Sequence, residues 1–264
     1  MRWSRNPFFK PTAPILPGPG PGPGPDPDST PASDTETIAP PPDPSSIPTT
    51  HLLRPTPRLT PHQILYIFVL DGLGAMILSG GINLAIAYAM YTTSPPPVRL
   101  FQLPNTLAGD AAVTIILQSI ITWLVELVLV NRDLSKGSVA PLGFVPQPTT
   151  RALRWFMFLD RREAKEEKGL GHWVKFLASQ VLRAFLVAVV CFAVFWGPCV
   201  GCLMRLGRRS GGDWEFDATW TPQVFKLVLG GLLGLVQTPA FVVFWLVRAG
   251  WALQTNLGEM REVC

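Results

Sequence analysis

The sequence has little charge, and this shortage argues against an ordinary soluble domain. Charged residues make up 15% of its 264 residues, whereas soluble domains carry about 25%. The four cysteines do not support a disulfide framework, and a formal net charge of +4 is small for a nucleic-acid-binding protein. Because 48% of the residues are hydrophobic, the composition predicts a membrane protein with no nucleic-acid partner.

Catalytic and cofactor motifs are missing as well. The sequence has no phosphate-binding glycine loop, no G-x-S-x-G and no H-E-x-x-H. Asp71 and Asp110 each lie beside a glycine, but neither has a histidine or serine partner for catalysis. Cys199 and Cys202 form a C-x-x-C without the strand-to-helix turn of a redox motif or further zinc ligands. We therefore expect no enzyme activity, no cofactor and no metal.

Residues 1–61 form an arm that holds most of the 28 prolines. Its GPGPGPGPDPD stretch (18–28) cannot bury apolar surface, so the arm is predicted to be disordered with polyproline-II character. We interpret it as a solvated cytosolic spacer. The alternative is a docking tail for a cytosolic partner that binds proline-rich segments.

Four segments after the arm are long enough to cross a membrane. A span needs about 20 mostly apolar residues, and residues 63–91, 106–130, 174–200 and 223–249 meet this requirement. Thr60-Pro61-His62-Gln63 predicts a capping box at the start of the first span. The predicted fold is therefore all-α: a four-span transmembrane helical bundle over residues 62–255, followed by a short tail at 256–264.

The distribution of Lys and Arg predicts the orientation of these spans. The 131–173 loop is rich in both residues, so this loop and both termini are expected to be cytosolic. Within it, residues 151–168 combine aromatic and basic side chains. This composition suits an amphipathic helix on anionic lipid head groups, or else a loop helix packed on the bundle.

Small and polar residues recur at every fourth position in three of the spans. Such residues share one helix face, and small ones allow helices to approach closely. The fourth span carries Gly230 and Gly234, while Gly80 and Gly81 widen the smooth face of the first. The ridges of the first two spans are Asp71, Ala75, Ser79, Asn83, Ala87 and Tyr91, and Asp110, Thr114, Gln118, Thr122 and Glu126. We expect these surfaces to pack against each other in a tight bundle.

Several charges fall within the predicted spans, where an ionised side chain must pair or face water. By position, Asp71, Glu126, Arg183 and Arg248 belong to the cytosolic half, with Arg183 as the expected counter-charge of Asp71. Asp110 and Lys226 are expected near the opposite interface, where water reaches them. The cytosolic-half cluster either fixes the helix order or forms a polar pathway, and a pathway of this size would require a homo-oligomer.

Two stretches resemble a known family. LDGLGAMILSGGINLAIAYAMY (70–91) and LPNTLAGDAAVTIILQSIITWLVELVLVNRDLSKGSVAPLGF (103–144) are similar to fungal integral membrane proteins of the domain of unknown function 2456 family. The resemblance covers about residues 62–255. It implies a multi-span protein of an internal membrane such as that of the vacuole, with no known activity. The expected role is structural or adaptor; the alternative is a small transporter or channel subunit.

Overall fold

The structure is a computed structural model that describes residues 53–93, 97–103, 106–157, 170–217 and 219–263. Most of the proline-rich arm lies outside these ranges, so its predicted disorder stays a prediction. The second half of the predicted 151–168 helix and Cys264 also lie outside the described residues.

The described chain is mostly helical, and four of its helices are long and apolar enough to cross a membrane. This confirms the predicted all-α class with four candidate spans. In chain order the helices are α1 (Pro61–Thr93), α2 (Leu107–Lys136), the short α3 (Arg151–Phe156), α4 (Leu170–Leu206) and α5 (Thr221–Val263).

The ends of the helices follow local signals, which were read correctly for α1 and wrongly for α2. Gln63 N donates to the Thr60 hydroxyl at 3.2 Å, and Thr60 N donates back to Gln63 Oε1 at 2.9 Å, so the predicted capping box is confirmed. The predicted end of α2 at residue 130 is wrong. Asn131 bonds back to the carbonyl of Leu127 inside the helix, and the helix continues until Gly137 adopts a left-handed φ of 71°.

Helix α1 is not uniform along its length. Its Leu65–Leu73 segment is π-helical, and regular α-helix resumes at Gly74 and runs through Gly80 and Gly81 to Thr93. The π segment contains Asp71, and such segments are common at functional sites.

Helices α2 and α5 form the centre of the bundle. Helix α5 packs against both α1 and α2, and α4 packs against α2. Of the most apolar window of each helix, 56% is buried in α5 but only 17% in α4. The outward faces are apolar, with Ile77, Leu78 and Val190 all more than 60% exposed, as expected of surfaces that contact lipid.

Each end of the bundle has its own closing structure. At one end, strands β1 (Val98–Arg99), β2 (Arg208–Ser210) and β3 (Asp213–Phe216) form an antiparallel sheet in the order β1-β3-β2. The two loops that supply these strands were both predicted on the non-cytosolic side. They therefore lie together.

The opposite end is closed by residues 53–60 and the loop after α2. Thr56 N donates to Pro141 O at 2.9 Å, and Leu142 N donates to Leu246 O at 3.1 Å. Gln63 Nε2 reaches the carbonyl of Ala140 at 2.8 Å. We call this layer the loop cap. It ties the start of α1, the end of α2 and the α5 helix into one unit.

Candidate functional site

The predicted small-residue ridge of α1 lies against α5. A Cβ added at Gly234 would lie 2.6 Å from Ala75 O, and one added at Gly80 would lie 3.1 Å from Leu227 O. The half-buried Ser79 lies on the same face. Gly81 does not belong to this contact, because a Cβ there would meet nothing within 4 Å.

An amide bridge joins three helices near the middle of this contact. Asn83 Nδ2 of α1 donates to Gln118 Oε1 of α2 at 3.0 Å, and Gln118 Nε2 donates to the carbonyl of Gly230 on α5 at 2.9 Å. A side chain at position 230 would collide with Asn83. The missing Cβ of Gly230 thus leaves room for the amide that crosses between the helices.

Asp110 and Lys226 form a buried ion pair, which differs from the expectation that water reaches them. Lys226 Nζ lies 2.8 Å from Asp110 Oδ1, and the two side chains are 3% and 13% exposed. Lys226 also donates to the hydroxyl of Thr114, and the hydroxyl of Tyr91 donates to Asp110 Oδ2 at 3.1 Å. The pairing links α1, α2 and α5 close to the sheet end of the bundle.

Two further polar contacts between helices were not predicted. Gln237 Nε2 of α5 donates to the hydroxyl of Ser119 at 2.7 Å, and Trp123 Nε1 donates to Gln180 Oε1 of α4 at 3.2 Å. The sequence alone shows that Gln180 and Gln237 are polar residues inside apolar spans, so it contained a signal for these contacts. Neither residue lies on a repeating four-residue ridge, so the ridge pattern did not select them.

The acidic residues gather between α1 and α2, next to the loop cap. Asp71, Glu126 and Asp133 act on one another electrostatically, and the hydroxyl of Tyr66 donates to Asp133 Oδ2 at 2.7 Å. Glu126 is only 5% exposed. We call Tyr66, Asp71, Glu126 and Asp133 the acidic cluster. Sequence analysis placed Asp71 and Glu126 in the same half of the bilayer but missed Tyr66 and Asp133.

The basic residues expected in this cluster make their described contacts with other partners. Arg183 donates to the carbonyls of Phe156 and Trp155, both at 3.0 Å, and its guanidinium lies 4.5 Å from the centroid of the Trp155 ring. The expected pairing of Arg183 with Asp71 is therefore replaced by contacts with α3. The guanidinium of Arg248 lies 5.3 Å from the centroid of the Trp245 ring.

These contacts also show how α3 sits. The ring of Phe156 packs edge-on against Trp123 of α2 and Phe244 of α5, while Arg151 stays exposed. In its described part, the predicted interfacial helix is thus a short loop helix packed on the bundle, one of the two alternatives left open by the sequence.

A buried carboxylate organises the sheet end. Asp213 accepts hydrogen bonds from Phe101 N at 3.1 Å, Gln102 N at 2.9 Å and Trp214 N at 2.8 Å. Burial alone would raise the pKa of Asp213, but these donors and the nearby charge of Arg99 outweigh burial and lower the pKa below its ordinary value. The loop before α2 is thereby fixed to β3.

The described residues form no metal centre, and the groove between α2 and α4 is apolar. Across residues 53–263 with their gaps, no group of three His, Cys, Asp or Glu side chains is placed to hold a metal ion, and Cys191, Cys199 and Cys202 are not in disulfides. A groove of about 570 Å³ runs between α2 and α4, lined by apolar residues that include Ile120, Leu177 and Phe185. Such a lining suits lipid chains rather than a polar solute.

These features define the class of the protein: a helical bundle with four helices long and apolar enough to cross a membrane. Residues 154–246 match the family described as Protein of unknown function (DUF2456), which confirms the resemblance drawn from the sequence.

Two uncharacterised fungal proteins are similar to the chain. One is the Schizosaccharomyces pombe protein C594.02c, 39% identical over 184 residues, with 67% of this chain and 36% of that protein covered. The other is the Saccharomyces cerevisiae protein YHL026C, 24% identical over 244 residues, with 70% of this chain and 78% of that protein covered. The chain thus spans about a third of the length of the first relative. No solved structure matches.

Proposed function

We propose that the protein is a multi-pass integral membrane protein of an internal fungal membrane, such as the vacuolar membrane, with a structural or adaptor role. The observation that carries this proposal is how the intramembrane polar groups are used. Asn83, Gln118, Asp110 and Lys226 bond to partners on neighbouring helices, so they hold the bundle together instead of lining a path for a solute.

In this proposal the loop cap and α3 face the cytosol, together with the proline-rich arm. Phe156 anchors α3 in the bundle, and Arg151 at the start of α3 stays exposed at the same end. Such a surface suits anionic lipid head groups. The arm then provides the contact for a cytosolic partner, and a homo-oligomer can form through the apolar outer faces.

The lipid contact is testable on the purified protein. In native mass spectrometry from vesicles of mixed lipids, Arg151→Gln should retain less anionic lipid than the unaltered chain. Arg208→Gln, at the sheet end, is the matched control, because Arg208 is exposed and pairs only with the equally exposed Asp217 among its described contacts. Equal lipid retention by both variants would contradict an anionic lipid contact at Arg151.

A transporter or channel subunit is the second candidate, and one observation favours it. Among the described contacts, no basic side chain pairs with the acidic cluster, and acids inside a membrane span are typical of ion or proton pathways. Any such pathway would begin at Asp133, which is half-buried next to the loop cap.

One experiment separates the two candidates. Gln118→Leu breaks the amide bridge, Glu126→Gln alters the acidic cluster, and Asp217→Asn changes an exposed carboxyl as control. A structural role predicts that Gln118→Leu lowers protein abundance, while Glu126→Gln leaves the pH and solute content of the compartment unchanged. Normal abundance of Glu126→Gln together with altered pH or solute content would favour transport instead.

A further inference from the structure

The acidic cluster contains two carboxyl oxygens that the fold has not satisfied. Glu126 Oε2 and Asp71 Oδ2 are buried and have no hydrogen-bond partner among the residues that the structure describes. Glu126 as a whole is 95% buried, since only 5% of it is exposed. Two independent features therefore coincide: a group of acids, and a buried carboxyl within it that has an open position.

Every helix of the bundle carries charged or titratable groups, but among the described residues the charges that act on Glu126 come from α1 and α2. Helix α1 contributes Tyr66 and Asp71, and α2 itself contributes Asp133; the charges that act on Glu126 are the two aspartates. Helix α4 contributes Arg183, which is bonded to the α3 carbonyls. Helix α5 contributes Arg248, which lies over the Trp245 ring. The charges of the described residues that act on Glu126 are thus both negative.

This arrangement cannot hold three ionised carboxylates. Burying an ionised carboxylate without a cation is strongly unfavourable, and neighbouring carboxylates raise that cost further. The hydroxyl of Tyr66 donates to Asp133 and also acts as a hydrogen-bond partner of Asp71, whereas no donor among the described residues reaches Glu126 Oε2. Glu126 must therefore obtain its compensation from something that binds to its open oxygen.

We infer that Asp71 and Glu126 form a proton-binding site at the contact of α1 and α2. A proton on Glu126 removes the buried charge and turns Oε2 from an acceptor into a donor. The π-helical segment brings Asp71 into the cluster, and the half-buried Asp133 with Tyr66 connects the site to the loop cap. This site is separate from the proposed structural role. It depends only on the fold described above and not on what the bundle does in the membrane.

Infrared spectroscopy of the purified protein in lipid nanodiscs tests this site directly. A protonated carboxyl should give its carbonyl stretch at neutral pH, with a shift in heavy water. The band should be lost in Glu126→Gln and kept in Asp217→Asn, whose carboxyl is exposed. A spectrum without the band at neutral pH, or a band unaffected by both Glu126→Gln and Asp71→Asn, would overturn the inference.

The pH dependence of thermal unfolding is a second readout. When only the folded state holds a proton, stability falls as the pH rises, so the melting temperature of the unaltered chain should fall from the ordinary Glu pKa of about 4.3 upward until the folded carboxyl has lost its proton. Glu126→Gln imitates the protonated carboxyl and should flatten this fall. Identical pH profiles would contradict a proton on Glu126. A metal cation in its place would appear as a melting temperature that drops after chelator treatment, which would also overturn the inference.

Discussion

At the scale of single residues, the buried pair of Asp110 and Lys226 makes the largest stability prediction. Removing one partner of a buried pair leaves an uncompensated charge and costs about 3–5 kcal/mol. Lys226→Met should therefore lower the stability of the protein in detergent by about 3 kcal/mol or more. The melting temperature of the purified variant measures this loss.

The double change provides the control for this prediction. Adding Asp110→Asn to Lys226→Met removes the stranded charge, and Asn still offers an oxygen to the hydroxyl of Tyr91. Most of the lost stability should return. A double variant no more stable than Lys226→Met would show that the charge pair is not the cause.

Asp213 makes a prediction about pH at the sheet end. Its pKa is lowered in the folded protein, so its contribution to stability is complete above the ordinary carboxyl pKa of 3.8. That contribution is lost as the pH falls through the lower folded value. Hydrogen exchange of the Phe101 and Gln102 amides, which donate to Asp213, should accelerate in acid relative to the amide of Leu100. Unchanged relative rates down to strongly acidic pH would contradict this role.

The sequence predicted toward which end of the bundle a polar residue lies, but it did not predict which residue it contacts. Asp110 and Lys226 were assigned correctly to one end of the bundle, yet their pairing depends on which helices are neighbours. Arg183 shows the same limit, because its carbonyl partners belong to α3, a loop helix whose docking through Phe156 no periodicity reveals. Sequence analysis identified Asp71 and Glu126 of the acidic cluster. It missed Tyr66 and Asp133, because these two residues lie off the four-residue ridges of α1 and α2.

At the scale of helices, the contact of α1 with α5 depends on glycine. A Cβ at Gly234 would lie 2.6 Å from the backbone oxygen of Ala75, and backbone cannot move aside as a side chain does. Gly234→Ala should therefore destabilise the bundle by about 1–3 kcal/mol, the usual cost of overpacking. Thermal unfolding in detergent measures the change.

Gly81 is the matched control in the same pair of helices. A Cβ there meets nothing within 4 Å, and Ala is favoured over Gly inside a helix. Gly81→Ala should leave stability unchanged or raise it slightly. Equal losses in both variants would mean that glycine acts through the helix backbone and not through the contact with α5.

Helix existence could be predicted from the sequence because an apolar run of sufficient length is a strong signal. Helix ends and local form could not be predicted as well. The end of α2 depends on the left-handed Gly137, a signal that was present but outweighed by the polar Asn131-Arg132-Asp133. The π segment of α1 lies where a Cβ at Gly72 would come within 2.9 Å of Pro239. That contact is with another helix and leaves no local pattern.

At the scale of the whole molecule, the two ends of the bundle are chemically different. The sheet end carries Arg208 and Arg209 on a hairpin, whereas the loop cap and α3 lie at the end reached by the basic 131–173 loop. The excess of Lys and Arg in that loop predicts that the loop cap is cytosolic. The helices are closely packed, and polar groups bond across them, so the bundle is one unit. All four helices therefore share one orientation in the membrane.

Two exposed serines allow a matched test of this orientation. Ser138 lies at the loop cap and Ser210 in the hairpin at the sheet end. In a chain that carries Cys202→Ser and Cys264→Ser, because Cys202 is itself exposed, a membrane-impermeant thiol reagent added to the intact organelles that contain the protein should label Ser138→Cys but not Ser210→Cys. After the membrane is opened, both positions should react, which shows that each thiol is accessible. Labelling of Ser210→Cys in intact organelles, with Ser138→Cys protected, would reverse the orientation and move the acidic cluster to the lumenal side.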